Sequence, residues 1–277
     1  EKVDDVAIVV SDGLSARAAA AMGWPVVVKP EASVGSTPDG GLSTFEVSYA
    51  SDQQELTGAL ARFEGRTPVL LQEYYVGVGV GVEVLAHEGR VLAAFSHRRL
   101  REVPITGGAS SFRESVPLDG ELLAYSRTLI ERIGWTGLAM VEFKVGPAGP
   151  RLMEINGRLW GSLPLAVKAG MDLPARLVEL IEHGPPPAGR PIACDYRVGV
   201  RSRNLELETV WIGGVLRGRA RSRVDGGRPA RAEAMRALLR LPLPSDGYDI
   251  LDWRDPAPGL AEAVRIVGKL AGKVSRG

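Results

Sequence analysis

The chain has 277 residues, enough for one large or two modest domains with hydrophobic cores of their own. Its 45% hydrophobic and 24% charged residues are typical of a globular protein, and no apolar run approaches the ~18 residues of a membrane-spanning helix. A single cysteine, Cys194, excludes an intramolecular disulfide, and one cysteine with three histidines does not favour a structural zinc site. Because the N-terminus also lacks the basic and apolar regions of a secretory signal, we expect a cytoplasmic protein without membrane contact.

The predicted elements of the first 75 residues describe a small unit of strands and helices. A helix over Ser15–Met22 precedes an apolar strand over Pro25–Pro30. Residues 31–43 are small, polar and rich in glycine, which predicts a loop. A helix over Asp52–Phe63 and a strand over Val69–Gln72 follow.

Residues 76–184 predict a larger unit of paired strands. Glycine and valine alternate over Gly77–Gly81, which predicts a turn into a strand and then a hairpin. The further predicted elements are a helix over 119–133, strands over Leu138–Val145 and Arg151–Asn156, and a helix over 172–183. Strand pairs interleaved with helices favour a mixed α+β fold over a doubly wound parallel sheet.

The charge is uneven along the chain. Residues 1–184 hold 17 Lys+Arg against 23 Asp+Glu, which is −6, so the total of +1 leaves +7 for residues 185–277. In that basic segment four arginines alternate along one possible strand: Arg217, Arg219, Arg221 and Arg223. They lack interleaved aromatic residues, so a solvated or interdomain face is a better interpretation than a nucleic-acid surface.

Oxygen-bearing side chains converge on the two strands near the middle of the chain. Glu142 lies on one face of the first strand, and Glu154 and Asn156 share a face of the second. Carboxylate and amide oxygens suit magnesium, and Arg158 follows at a distance from which it could reach a phosphate. The alternative is a solvated sheet face on which the two glutamates pair with neighbouring basic residues.

The run Glu154–Arg158, E-I-N-G-R, resembles the E-x-N-x-R signature of the ATP-grasp superfamily. The resemblance implies two α+β lobes that clamp ATP. It further implies two magnesium ions, with manganese as a possible substitute, held by Glu142, Glu154 and Asn156. Arg158 matches the arginine that stabilises the transferring phosphoryl group.

The resemblance extends upstream to the nucleotide. Lys29, at the end of an apolar strand, is similar to the nucleotide-binding lysine of the family, and Ser36 belongs to a stretch similar to its phosphate-covering loop. Glu73, Tyr75 and Val76 lie in a segment that looks like the adenine-binding hinge. Whether Tyr75 or the tyrosine before it faces the nucleotide stays open.

A basic cluster, H-R-R-L-R over His97–Arg101, falls where relatives bring positive charge to phosphates or to the acceptor. On a strand Arg99 and Arg101 share a face with His97, so we expect both arginines to be catalytic, with a solvated cluster as the alternative. Together with the following Gly107–Gly108, the cluster resembles the predicted carboxylate–amine ligase branch of the superfamily.

This resemblance implies a small lobe over residues 1–75, a large lobe with the metal site over 76–184, and a basic C-terminal segment of unassigned role over 185–277. The small lobe is expected to be incomplete, because a further phosphate-binding residue and the leading α/β domain of the family would lie before Glu1.

The expected activity is joining of a small carboxylate to an amine through an acyl phosphate, and a homodimer is the assembly considered. The alternatives are a non-catalytic ATP sensor, a carboxylase- or kinase-type enzyme acting on bicarbonate, and a nucleic-acid-binding module.

Overall fold

The computed structural model describes residues 6–9, 21–31, 34–36, 41–63, 66–105, 107–220, 228–241, 247–252 and 254–274. These residues form two compact units, the first ending at Tyr75 and the second beginning at Val76. Of the predicted helix over residues 15–22, only Ala21 and Met22 are described, and both are helical. Within the described ranges, no helix is both long and apolar enough to cross a membrane.

The first unit is built on a four-stranded antiparallel sheet of order β1-β6-β2-β5, with a separate two-stranded hairpin of β3 and β4. Its elements are β1 (Val6–Val9), β2 (Val26–Pro30), β3 (Val34–Ser36), β4 (Leu42–Thr44), β5 (Ser48–Ala50), α1 (Gln53–Ala61) and β6 (Val69–Glu73). The predicted strands over 25–30 and 69–72 and the predicted helix over 52–63 are therefore confirmed, with ends displaced by one or two residues. The prediction of a loop over residues 31–43 is wrong where β3 and β4 form a hairpin.

The core of the first unit lies between α1 and one face of its sheet. Alternate residues of β2 are fully buried, namely Val26 and Val28, and they pack with Leu56 of α1 and Leu71 of β6. Helix α1 begins at Asp52, whose side chain accepts a hydrogen bond of 2.8 Å from the backbone N–H of Glu55.

The second unit contains a seven-stranded sheet of order β11-β10-β7-β8-β9-β12-β13, in which only the last pair is parallel. The strands are β7 (Val78–His87), β8 (Arg90–Val103), β9 (Ala109–Ser115), β10 (Gly137–Gly146), β11 (Gly149–Asn156), β12 (Arg201–Arg203) and β13 (Gly247–Tyr248). The helices are α2 (Gly120–Arg132), α3 (Leu163–Ala169), α4 (Leu173–His183), α5 (Leu205–Leu216), α6 (Arg231–Arg240) and α7 (Ala257–Val274).

Helices cover both faces of the central strands, which explains why these strands are almost continuously apolar. Val84 and Val141 pack on one face with residues of α2, while Phe95 and Met140 pack on the other face with residues of α3 and α4. Residues of β10 therefore alternate between the two cores. Glu142, a predicted metal ligand, lies on the same face of the strand as Met140.

The C-terminal segment belongs to the large sheet. Strands β12 and β13 extend it beyond β9, and Ala193 forms a parallel bridge to Ala93 of β8. The prediction of a strand with alternating arginines is wrong where it can be compared, because Arg217 ends α5 and Arg219 follows that helix outside any strand. Arg221 and Arg223 lie outside the described residues. The assignment of lobes to 1–75, 76–184 and 185–277 stays a prediction.

Candidate active site on the β10–β11 hairpin

The β10–β11 hairpin brings the three predicted metal ligands together. Glu142 pairs directly with Glu154, and Met140 pairs with Asn156. Directly opposed residues of antiparallel strands project from the same face with their β-carbons about 5 Å apart. The side-chain nitrogen of Asn156 donates a hydrogen bond of 2.9 Å to Oε1 of Glu154. A bulge just beyond Glu142 shifts the pairing register of the two strands. The regular alternation of faces predicted for β11 therefore holds for Glu154 and Asn156 but not for the residues before Glu154.

Arg99 of β8 reaches the same row. Its guanidinium is ion-paired with Glu142, and it also donates to Glu102 at 2.9 Å and to the carbonyl of Gly108 at 2.8 Å. Burial acts to lower the pKa of Arg99, but the charges of Glu142 and Glu102 outweigh it and raise the pKa above its ordinary value. The site therefore keeps a permanent cation beside one of its carboxylates.

Two glycines of β7 leave space for side chains of β8. A β-carbon on Gly79 would lie 2.8 Å from Cδ of Arg99, and one on Gly81 would lie 3.0 Å from Nδ1 of His97 and closer still to its Cε1. The side chains of Arg99 and His97 thus lie across β7, in space that any larger residue would fill. The prediction of a turn into a strand over Gly77–Gly81 is wrong for Gly79 and Gly81, because both lie inside β7, and their alternate spacing was the available sequence signal.

A buried acidic group lies one row further along the same face. Glu83 of β7 pairs with Met140 and is fully buried, and its Oε1 is 3.1 Å from Nδ1 of His97. The hydroxyl of Ser162 donates to the same oxygen at 3.2 Å. A single glutamate in the middle of the apolar run over 82–86 was the available sequence signal.

Arg158 lies on the loop Gly157–Ser162, which follows β11. Its guanidinium is exposed and donates to the carbonyl of Leu159 at 3.1 Å. The loop is anchored by Trp160, which is buried among residues of α3 and α4, and by Gly157, where a β-carbon would lie 2.9 Å from Cζ2 of Trp135. Arg158 is thus presented by a fixed loop at the end of the strand that carries Glu154.

Arg101 lies in different surroundings from Arg99. It is ion-paired with the fully buried Glu208 of α5, and its guanidinium stacks 5.0 Å from the ring centroid of Phe112 and 4.6 Å from that of Trp211. A shift in strand register separates Arg99 from Arg101, so the two side chains do not continue one regular row. The catalytic role of Arg101 stays a prediction, and its contacts suit a structural one.

The predicted nucleotide residues lie in the first unit, except Val76, which begins the second. Lys29 is half-buried on β2, beside the buried positions that face the core, while Glu73 ends β6 and Tyr75 follows it. Tyr74 makes an edge contact with Tyr49 at 5.9 Å between ring centroids. Ser36 lies in β3, and Val76, 61% exposed, begins the second unit. Their roles in binding ATP stay predictions.

The donor set of the hairpin fits magnesium. Magnesium takes one or two carboxylates from a protein and fills its shell with water and phosphate oxygens, so Glu142, Glu154 and Asn156 are sufficient. In the described ranges no group of three or more His, Cys, Asp or Glu could hold a metal ion. The described residues therefore contain no metal site built from such side chains alone.

A β10–β11 hairpin with paired acidic residues, in a chain that also contains a smaller α+β unit, is typical of an ATP-grasp protein. A protein-family profile, ATP-grasp in the biosynthetic pathway with Ter operon, matches residues 65–203, and the chain belongs to this family. No curated protein matches the chain by sequence.

Solved structures share the fold at low sequence identity. Carboxyaminoimidazole ribonucleotide synthase from Aspergillus clavatus, complexed with ATP, has 14% identity and a TM-score of 0.54, covering 84% of this chain and 66% of its own. The N5-carboxyaminoimidazole synthase of Aspergillus clavatus, with ADP, has 16% identity and a TM-score of 0.50, covering 66% and 48%. D-alanine–D-alanine ligase from Bacillus anthracis, complexed with ATP, has 22% identity and a TM-score of 0.46, covering 63% of this chain and 59% of its own. The chain thus spans about three fifths of that ligase, and the likeness to the two Aspergillus clavatus structures concerns the fold alone.

Proposed function

We propose that the chain is an ATP- and magnesium-dependent ligase that joins a small carboxylate to an amine through an acyl phosphate. The observation that carries the proposal is the row formed by Glu142, Glu154 and Arg99 on one face of a sheet in an ATP-grasp protein. Two carboxylates held beside a permanent cation form a site for a metal–phosphate complex, and a merely solvated sheet face would not need Gly79, which admits Arg99.

Glu142, Glu154 and Asn156 would hold the magnesium. When bound, magnesium supplies positive charge that offsets the charge of the phosphates during phosphoryl transfer. Arg99 orients Glu142 through their ion pair and places a positive charge beside it. Arg158 lies on the following loop, where an exposed guanidinium can contact phosphate oxygens.

The nucleotide would be held by Lys29, Ser36, Glu73, Tyr75 and Val76. In the first step an oxygen of the substrate carboxylate attacks the γ-phosphorus, the bond to the β-phosphate oxygen breaks, and ADP leaves. In the second step the amine nitrogen attacks the acyl carbon, the bond to phosphate breaks, and the amine loses a proton. No nucleophile from the protein is needed, and positioning with charge stabilisation accounts for the catalysis.

The test is isotopic. ADP release is measured with a panel of small carboxylates and amines, and an active carboxylate is then supplied with ¹⁸O in its carboxyl group. An acyl phosphate predicts that one ¹⁸O atom appears in the inorganic phosphate. Stimulation by bicarbonate in place of organic acids would support the carboxylase-type alternative. ATP binding without ADP release under any of these conditions would support the sensor.

We also propose that the partners are small molecules in the cytoplasm. The single cysteine, which is exposed, supports a reducing compartment. Ion pairs of three basic residues in this segment support the absence of a nucleic-acid surface: Arg203 is paired with Glu208, Arg201 with Glu114, and Arg265 with Glu206.

A further inference from the structure

We infer that Asp249, in the C-terminal segment, is a positioning residue that acts through Arg113 to hold the loop Gly157–Ser162 and hence Arg158. The inference rests on the proposed function for the role of Arg158. It gives the C-terminal segment a part in the active site, although that segment carries no recognised motif.

The connection begins at Arg113, which lies on β9 and is only 1% exposed. One terminal nitrogen donates to the carbonyl of Ser110 at 3.0 Å, and the other donates to the carbonyl of Gly161 at 3.0 Å. The second nitrogen is also ion-paired with the carboxylate of Asp249. A single buried guanidinium therefore joins a central strand, the loop after β11 and the C-terminal segment.

Asp249 is itself fixed in place. Its side chain is 5% exposed, its Oδ1 accepts a hydrogen bond of 2.7 Å from the hydroxyl of Ser202, and its backbone N–H donates to the carbonyl of Arg203 at 2.9 Å. Because a buried guanidinium without a counter-charge is strongly unfavourable, the carboxylate of Asp249 keeps Arg113 in the position from which it reaches Gly161.

Besides the packing of Trp160 and Gly157, two polar contacts described for the loop hold it, and the bond from Arg113 to Gly161 is one of them. The neighbouring residue of Gly161, Ser162, donates to the buried carboxylate of Glu83. Arg158 makes its described hydrogen bond to Leu159, a residue of the same loop, so its guanidinium moves with the loop. Without the hydrogen bond from Arg113, the loop that carries Arg158 would keep one of these two polar contacts, the bond from Ser162 to Glu83.

The experiment measures hydrogen exchange in Asp249→Asn, which keeps the shape of the side chain and removes its charge. The reporting amides are those of Leu163 and Leu165, which bond to the carbonyls of Trp160 and Ser162 where the loop joins α3. We expect at least a tenfold faster exchange of these amides than in the wild type. Equal exchange in the folded variant would overturn the inference.

Glu208→Gln is the matched control. Glu208 is also a buried carboxylate of the C-terminal segment, ion-paired with Arg203 at 3.1 Å, but none of its described contacts reaches the loop. We expect it to weaken the fold without selective exchange at Leu163 and Leu165. If both variants loosen these amides equally, the effect is a general loss of stability, and the positioning role is refuted.

Arg113→Lys covers the case in which Asp249→Asn does not fold. It keeps the charge beside Asp249, but a shorter side chain with one nitrogen cannot reproduce the two-nitrogen contact with Ser110 and Gly161. The same selective exchange is expected, and its absence would refute the inference.

Kinetics then test the link to catalysis. With a substrate that supports ADP release, Asp249→Asn should lower kcat at least tenfold and change KM for ATP by less than twofold, since Arg158 acts on the transferring group. Unchanged kcat together with faster exchange would overturn the positioning role. If the wild type releases no ADP, the proposed function fails, while the exchange arm still decides whether Asp249 holds the loop.

Discussion

Replacing Gly81 by alanine should disturb the large sheet at the point where His97 crosses β7. The new β-carbon would lie 3.0 Å from Nδ1 of His97 and closer to Cε1, which is inside ordinary van der Waals contact. His97 cannot easily move aside, because it is 1% exposed, stacks on Phe95 at 6.4 Å between ring centroids, and lies 3.1 Å from Glu83.

The expected cost follows from overpacking. Adding a methyl group to a filled interior typically costs ~1–3 kcal/mol, and here the displaced imidazole would also leave the carboxylate of Glu83. Alanine would otherwise be favoured over glycine in a strand, so any loss of stability understates the clash. We expect Gly81→Ala to lower the free energy of unfolding by about 2 kcal/mol.

The assay is urea unfolding followed by tryptophan fluorescence, since Trp135, Trp160 and Trp211 all belong to the second unit. Gly120→Ala is the control, because a β-carbon there meets no atom within 4 Å. In a His97→Ala background the same Gly81→Ala change should cost less than ~0.5 kcal/mol, which gives a coupling energy of about 1.5 kcal/mol. Equal costs in both backgrounds would refute the packing of His97 across β7.

Three further predictions concern stability. Burial acts to raise the pKa of Glu114, but hydrogen bonds from Arg98 and Arg201 outweigh it and hold the pKa below its ordinary value of 4.5. The stability that this group contributes is therefore present above about pH 4.5 and is lost as the pH falls through the lowered pKa. The free energy of unfolding of Glu114→Gln should thus fall less steeply with decreasing pH than that of the wild type. Parallel pH dependences in the two proteins would contradict the lowered pKa. Gly58→Ala should stabilise the first unit by ~0.5–1 kcal/mol in thermal unfolding, because the position is an exposed helix interior with open space for a β-carbon; a lower melting temperature would count against the helix. Asp119→Ala should cost ~1 kcal/mol in urea unfolding, since the side chain caps α2 by accepting from the N–H groups of Glu121 and Leu122, and no change would show that the cap is not formed.

The part of the site that could be predicted from the sequence is local. The strands of the β10–β11 hairpin show alternation with a period of two, and the spacing of Glu154, Asn156 and Arg158 resembles a known signature. The start of α2 was equally predictable, because Asp119 precedes a helical pattern and caps it. These features depend on residues a few positions apart.

The remainder depends on contacts between distant residues. Strand β9 was not predicted, because its run A-S-S-F-R-E-S is polar, yet most of its residues are buried. Arg113 can be buried there since Asp249 supplies its counter-charge from 136 positions further along the chain. The use of Gly79 and Gly81 likewise requires knowing that β8 lies beside β7 and sends two long side chains across it. Neither fact is present in a local pattern.

Magnesium-dependent nucleotide binding at the β10–β11 hairpin is best tested by calorimetric titration of the chain with a non-hydrolysable ATP analogue, with and without magnesium, beside Glu154→Ala. Glu154 is exposed and pairs with Glu142, so its removal should spare the fold while taking away one of two acidic ligands. We expect magnesium-dependent binding by the wild type that the variant loses. Binding of equal affinity in both proteins, or binding that ignores magnesium, would contradict the assignment of the β10–β11 hairpin as the metal–nucleotide site.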